Sequence, residues 1–295
     1  MNVISTRQLT KRYGSTTALR DLNLEVRQGE VYGLLGPNGA GKTTTLRLLI
    51  DVIRPTRGSI TLFGEPMSPR LRGRIGYLPG ELVLYDRLTG ADYLRFCGAL
   101  RDHADLDEAT TLAKRLDLDL DRRTDELSKG NRQKLGLVQA FAHRPDLVIL
   151  DEPASGLDPL AQREFHSYLR EYVDGGGTAL FSSHVLSEVE HVADRVGILL
   201  AGSLVVEDTV ASLKANALRE LTFTFSEEVA AATFSGIPGV KSVQATGNEV
   251  RCRVNGAVGE LVRTAARFPL LNVTSHEPDL EDIFVHYTEE RGDDD

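Results

Sequence analysis

The sequence predicts an α/β fold: a mainly parallel sheet covered by helices, followed in the chain by a smaller α+β module. Three observations carry this expectation. Short apolar runs, in "EVYGLLG" (30–36), "LVIL" (147–150) and "TALFS" (178–182), alternate with stretches of helical spacing. That alternation is the mark of a parallel sheet buried on both faces. The first 65 residues instead alternate apolar and polar positions, as in "LNLEV" (22–26) and "ITLFG" (60–64), which predicts a separate antiparallel N-terminal sheet. Beyond "ASLKANALRE" (211–220), the order strand, helix, strand, strand, helix, strand predicts a ferredoxin-like module.

The elements follow from local pattern. "TTTLRLLIDVI" places Leu46, Leu49, Ile50 and Ile53 at helical spacing, and Pro55 should stop that helix. Residues 85–143 read as a helical subdomain, with Thr89 as an N-cap and Tyr93, Phe96, Cys97 and Leu100 as an apolar stripe. A charged break covers 117–123, and 196–208 reads as a hairpin turning at Ala201-Gly202. The expected domains are 1–212 and 213–295. In the second, Val258, Leu261, Val262 and Ala265 form one stripe, and Leu280, Ile283, Phe284 and Tyr287 another. Both fit packing or dimer contact. "RGDDD" reads as a frayed tail.

Composition narrows the class. With 295 residues, 41% hydrophobic and 26% charged, the chain is an ordinary globular protein large enough for two cores. A formal charge of −9 argues against nucleic acid as a partner, because broad binding needs a basic surface to displace counterions. Cys97 and Cys252 have no metal-ligand spacing and read as reduced thiols. The N-terminal stretch lacks a long apolar core, so no signal peptide is expected. No apolar run approaches the ~20 residues of a membrane helix, so any membrane part must come from another chain.

The chemistry is concentrated in two places. "GPNGAGKT" (36–43) fits G-x-x-x-x-G-K-[ST] and lies between a predicted strand and a predicted helix. Gly36, Gly39 and Gly41, with Pro37, Asn38 and Ala40 between them, let the backbone curl so that its N–H groups converge on phosphate oxygens. The helix N-terminus adds positive partial charge. Lys42 should reach the β- and γ-phosphates, and the Thr43 hydroxyl should ligate Mg²⁺. "LVILDE" (147–152) supplies acids at the carboxyl end of a buried strand, where ligands bind in open α/β sheets. Asp151 is placed to hold Mg²⁺ and Glu152 to orient the attacking water. Taken alone, an acidic pair after a strand also fits a helix cap or a surface feature.

With these motifs in hand, residues 2–210 resemble the nucleotide-binding subunit of ABC transporters, a P-loop NTPase fold. The resemblance rests on "GPNGAGKT", then "LSKGN" (127–131), "LVILDEPASGLD" (147–158) and "SSH" (182–184), in the family's order. "LSKGNRQK", "YLPGE" and "EPDLEDIFVHY" are similar to the bacterial drug and antibiotic exporter branch. The resemblance implies that Tyr13 stacks on adenine, Thr44 touches the α-phosphate, Asp158 belongs to a loop crossing a dimer interface, and His184 senses the γ-phosphate. It also implies ATP and Mg²⁺ as cofactors and a permease as membrane partner. The chain would sit on the cytoplasmic face of the membrane, and the cargo would never touch it.

Two departures stand out. Gly80 occupies the position where the family usually has glutamine, with Glu81 beside it as a substitute. In the signature, Lys129 and Asn131 replace glycine and glutamine. Ser128 reads as the N-cap of a helix beginning at Lys129, a natural anion site. In the family this segment cannot reach its own chain's nucleotide, so Ser128, Lys129 and Gly130 are expected to complete the site of a second copy or a related ATPase subunit. Arg132 and Lys134 read as a solvated helix face. Rival expectations are a soluble ABC ATPase acting on ribosomes or DNA, and a regulatory protein with weakened hydrolysis.

Overall fold

The computed structural model describes residues 1–100, 106–216, 218–256 and 258–276. The chain forms two compact units, Met1–Asp208 and Thr209–Asp295. In chain order the first contains β1 (Asn2–Tyr13), β2 (Thr16–Leu22), β3 (Glu25–Arg27), β4 (Val31–Leu35), α1 (Lys42–Leu49), β5 (Arg57–Leu62), α2 (Pro69–Arg72) and β6 (Ile75–Leu78). It continues through α3 (Gly90–Ala99), α4 (Asp107–Arg115), α5 (Lys129–Phe141), β7 (Leu147–Asp151), α6 (Pro159–Asp174), β8 (Thr178–Ser183), α7 (Leu186–Val192), β9 (Arg195–Leu200) and β10 (Ser203–Thr209). The second contains α8 (Val210–Asn216), β11 (Arg219–Phe225), α9 (Ala232–Ser235), β12 (Val240–Thr246), β13 (Glu249–Val254), α10 (Gly259–Ala265) and β14 (Leu270–His276).

The central sheet has the order β10-β9-β4-β8-β7-β6. The pairs β9–β4, β4–β8, β8–β7 and β7–β6 are parallel. Their carboxyl ends therefore share one edge, where the loops after β4, β6, β7 and β8 gather. Every residue of β4, β7 and β8 is buried, as continuous apolar runs require of inner strands. Leu34, Ile149 and Leu180 are fully buried, each side chain contributing about 1.5–3 kcal/mol. A separate antiparallel sheet pairs β1 with β2, β3 and β5. The hairpin from β9 to β10 turns at Ala201 and Gly202, both with positive φ.

Caps mark the helices that matter for the site. The side-chain oxygens of Thr89, Ser128 and Asp158 accept hydrogen bonds from first-turn N–H groups of α3, α5 and α6. Each such cap is worth about 1 kcal/mol. Helix α5 is laid directly against β6: a β-carbon added at Gly76 would stand 2.0 Å from the Ala140 carbonyl oxygen. At Gly136 it would stand 2.6 Å from Leu78 Cδ1.

Several expectations are corrected. Helix α1 ends at Leu49, short of Pro55, because Asp51 takes a φ of 59° that a helix cannot continue. The apolar stripe on α3 is not its buried face. Tyr93 and Leu94 are buried, whereas Phe96 is 41% and Leu100 72% exposed. Phe96 instead packs edge-on to Tyr85, with centroids 5.2 Å apart. "LNLEV" is not one strand: Leu22 closes β2, and β3 begins at Glu25 after the break at Asn23 and Leu24.

In the second unit the sheet order is β12-β13-β11-β14, with antiparallel neighbours throughout. Phe223, Phe225 and Phe234 form its fully buried aromatic centre, joined by Cys252 and Leu261. Leu261 and Ala265 face this core, while Val262 is 38% exposed. Helix α9 is a single short turn, Ala232–Ser235. The stripe of Leu280, Ile283, Phe284 and Tyr287 lies outside the described residues.

The β6–α5 contact makes a stability prediction. Gly76→Ala forces its methyl into backbone and should destabilise the first unit by about 1–3 kcal/mol. A urea midpoint for the variant at or above that of the wild type would refute the contact.

Candidate active site

The loop Gly36–Gly41 joins β4 to α1 at the shared carboxyl edge. Two of its glycines are obligatory on steric grounds. Gly36 has φ 154° and Gly41 φ 109°, and added β-carbons would stand 2.3 Å from Leu199 O and 2.7 Å from Ala18 O. Gly41 is the N-cap of α1 and has no side chain to claim the first-turn N–H groups. The loop opens onto a cavity of about 540 Å³. Pro37, Asn38, Gly39, Gly41, Lys42, Thr43 and Thr44 line one side, and Gly80, Glu81, Asp151 and Glu152 the other. Gly36 and the buried Ala40 form the base of the loop.

Lys42 is 6% exposed. Its Nζ donates to the carbonyls of Gly36 at 2.6 Å and Pro37 at 3.2 Å, and stands 3.5 Å from Glu152 Oε1. The other carboxylate oxygen, Oε2, is 2.7 Å from His184 Nδ1, which donates to it. Glu152 thus bridges the lysine of one loop and the histidine of another.

The backbone of Glu152 is unusual. Its φ is 51°, a left-handed conformation that costs a non-glycine residue about 1–2 kcal/mol. Its N–H donates to Ser182 Oγ at 3.1 Å, and its carbonyl accepts from Ser155 N at 3.1 Å and from Gln133 Nε2 at 3.1 Å. Ser182 Oγ in turn donates to Asp151 Oδ1 at 2.6 Å. Asp151 and Ser182 are Cα partners in the β7–β8 ladder.

Asp151 is 1% exposed, and its second oxygen, Oδ2, has no hydrogen-bond partner among the described residues. A buried carboxylate oxygen left open in this way is costly unless something cationic meets it. With the Thr43 hydroxyl on the same cavity, Asp151 has the donor set a magnesium ion takes: one carboxylate and one hydroxyl, with phosphate and water completing it. Nearby, burial pushes the Tyr77 phenol up, and the Asp151 charge adds to that. Burial also holds the Glu188 carboxyl above the ordinary range against its Ser183 hydrogen bond.

The remaining expected residues fall elsewhere. Tyr13 ends β1, is 49% exposed and stands outside the cavity lining, with Lys11 Nζ 5.0 Å from its ring centroid. Ser128, Lys129, Gly130 and Asp158 also lie outside that lining. The α5 start abuts the loop after Glu152: a β-carbon at Gly130 would be 2.8 Å from Gly156 O, and one at Gly156 would be 3.7 Å from Lys129 Cε. Lys134 is not solvated. It is 7% exposed and pairs with Asp158 Oδ2 at 3.5 Å. The Asp158 carboxyl is held low by the Ala161 N–H, with Lys134 contributing. Arg132 Nε donates to the Leu127 carbonyl at 3.2 Å, so it braces the turn before the helix.

Sequence reasoning missed Arg47, Ala18, Ser182 and Gln133. Arg47 lines the cavity one helical turn beyond Thr43, a spacing that could have revealed it. Ser182 sits inside a motif already noted for His184. Ala18 and Gln133 arrive from distant segments and carry no local signal.

Comparison with known proteins agrees with this geometry. The ABC transporter family profile matches residues 19–155. The bacitracin transport ATP-binding protein of Enterococcus faecalis is 34% identical, covering 96% of this chain and 95% of that protein. The lantibiotic transport ATP-binding protein of Streptococcus pyogenes is 34% identical over 70% of this chain and 90% of its own length. Among solved structures, an ATP-binding subunit of an ABC transporter superposes with a TM-score of 0.67 at 30% identity, covering 72% of this chain and 92% of its own. A dimeric cassette bound to ADP and Pi shares the fold with a TM-score of 0.64 at 20% identity, over 70% of this chain and 98% of its own. The chain belongs to the ABC transporter family, as an ATP-binding and ATP-hydrolysing subunit.

Proposed function

We propose that this subunit powers the export of an antibiotic-like or other amphipathic substrate through a separate membrane permease, working as one half of an ATP-clamped pair. The observation that carries the catalytic part is the Lys42–Glu152–His184 chain on a cavity floored by a glycine-rich loop. In this reading Lys42 and the loop N–H groups hold the β- and γ-phosphates, Thr44 meets the α-phosphate, and Tyr13 stacks on the adenine. Glu152 orients the attacking water, and His184 fixes the Glu152 carboxylate and meets the γ-phosphate. Thr43 and Asp151 would hold Mg²⁺. When bound, the ion would neutralise charge building on the phosphate oxygens. Glu81 lines the same cavity beside Gly80 and is available to orient water in place of the family glutamine.

A second copy, or a related ATPase subunit, completes each site. Ser128, Lys129 and Gly130 stand outside their own chain's cavity, yet form a capped helix start suited to an anion. ATP between two such surfaces closes the pair, and hydrolysis releases it. Asp158, at the start of α6, belongs to the same contact.

The permease reading rests on a different surface. Val83 and Tyr85, with Phe96 on α3 and Leu100 just past its end, are 86%, 59%, 41% and 72% exposed. Val83 and Tyr85 follow closely on Gly80 and Glu81 in the chain, and Phe96 packs against Tyr85. A cluster of exposed apolar side chains of this kind marks a protein contact. Among the described residues no helix is long and apolar enough to cross a membrane. The subunit would therefore ride on its permease at the inner membrane face, and the cargo would be met by the permease. Relatives named for bacitracin and lantibiotic transport support the choice of cargo class.

Glu152→Gln should keep ATP binding, lower turnover about a hundred-fold or more, and accumulate as an ATP-bound dimer in light scattering. Native turnover in that variant would end the catalytic assignment. Phe96→Asp should leave the ATPase rate of the isolated subunit unchanged but abolish its co-purification with the membrane protein that wild-type chain retains. Equal recovery of that protein would place the permease contact elsewhere.

A further inference from the structure

Gln133 lies on α5, five residues beyond Ser128, and nothing in the P-loop chemistry asks for it. Its amide nitrogen spends both hydrogens on one short stretch of backbone, 3.1 Å from the Glu152 carbonyl and 3.0 Å from the Pro153 carbonyl. Those acceptors require the nitrogen, not the amide oxygen, to face the loop. The loop it touches is the one that carries Glu152 in its left-handed conformation.

That loop is gripped along its length. Ser182 takes the Glu152 N–H from β8. Gln162 Nε2, from α6, donates to the carbonyls of Ala154 and Leu157, each at 3.4 Å. Lys134 holds Asp158 at the far end. Gln133 is the tie that reaches the carbonyl of Glu152 itself from α5. The helix has its own anchors: Leu135, Leu137 and Val138 are fully buried, and Ala140 meets Gly76. Removing one half-buried amide therefore leaves α5 in place and loosens the loop alone.

The geometry points to Gln133 as a positioning residue for hydrolysis. It fixes the peptide after Glu152, so that the carboxylate keeps its place between Lys42 and His184. Backbone held in a sparsely populated conformation persists only where its surroundings over-determine it, and two hydrogen bonds from one amide are a large part of that restraint. This rests on the role proposed above for Glu152.

The test uses the full-length chain with ATP and Mg²⁺. Q133L keeps the bulk and loses both donors. Q133E keeps size and shape but turns acceptor oxygens toward two carbonyls, and carries the test if Q133L does not fold. Either variant should lower kcat about ten- to a hundred-fold, with ATP Kd by calorimetry unchanged. Single-turnover rates should also show that adding either change to Glu152→Gln causes no further loss, as expected for residues acting as one unit. Native kcat in both variants, or the same proportional loss in the Glu152→Gln background, or ATP affinity falling in step with kcat, would overturn the positioning role. If Glu152→Gln itself turns over at the native rate, the role of Glu152 has failed instead.

Discussion

The Glu152 carboxylate reaches Lys42 with one oxygen and His184 with the other, and much of the first unit exists to hold it there. Three parallel strands deliver the three side chains to one sheet edge: β4 leads to the loop ending in Lys42, β7 leads to Glu152 and β8 leads to His184. Because these strands are buried on both faces, their ends have little freedom to drift. The lysine is almost wholly buried, and its charge is balanced by two loop carbonyls and the glutamate. In the function proposed above, an incoming phosphate would compete with those same partners, so that its binding and the arrangement of the acid would be one event.

The acid pair divides its labour by environment. Asp151 is sealed in the sheet edge with one oxygen bonded to Ser182 and the other buried without a partner among the described residues. Glu152, one residue later, is turned out by a positive φ and reaches groups on two loops. Adjacent residues with the same chemistry thus face different tasks because the strand ends between them.

The fold was readable where pattern and physics are local. Buried strands announced themselves as apolar runs at 147–150 and 178–182, and the glycine loop carried its own steric logic. The caps at Thr89 and Ser128 were legible because capping depends on a few adjacent residues, whereas the cap that Asp158 gives α6 emerges only in the structure. Helix faces were less legible. Phe96 and Leu100 share the spacing of a core stripe, yet α3 turns them outward, which periodicity cannot foresee. Lys134 looked like an ordinary surface lysine because its partner Asp158 lies 24 residues later in the sequence. Gln133 was invisible for the same reason: its acceptors are backbone atoms of a distant loop, and backbone acceptors leave no trace in side-chain identity.

Gly80 stands where a side chain would crowd the buried acid. A β-carbon there would stand 3.0 Å from Asp151 Oδ2, so the carboxylate would have to give by a few tenths of an ångström to admit any larger residue. The identity of residue 80 and the seat of that oxygen are therefore a single choice, made by leaving one of the two neighbours bare.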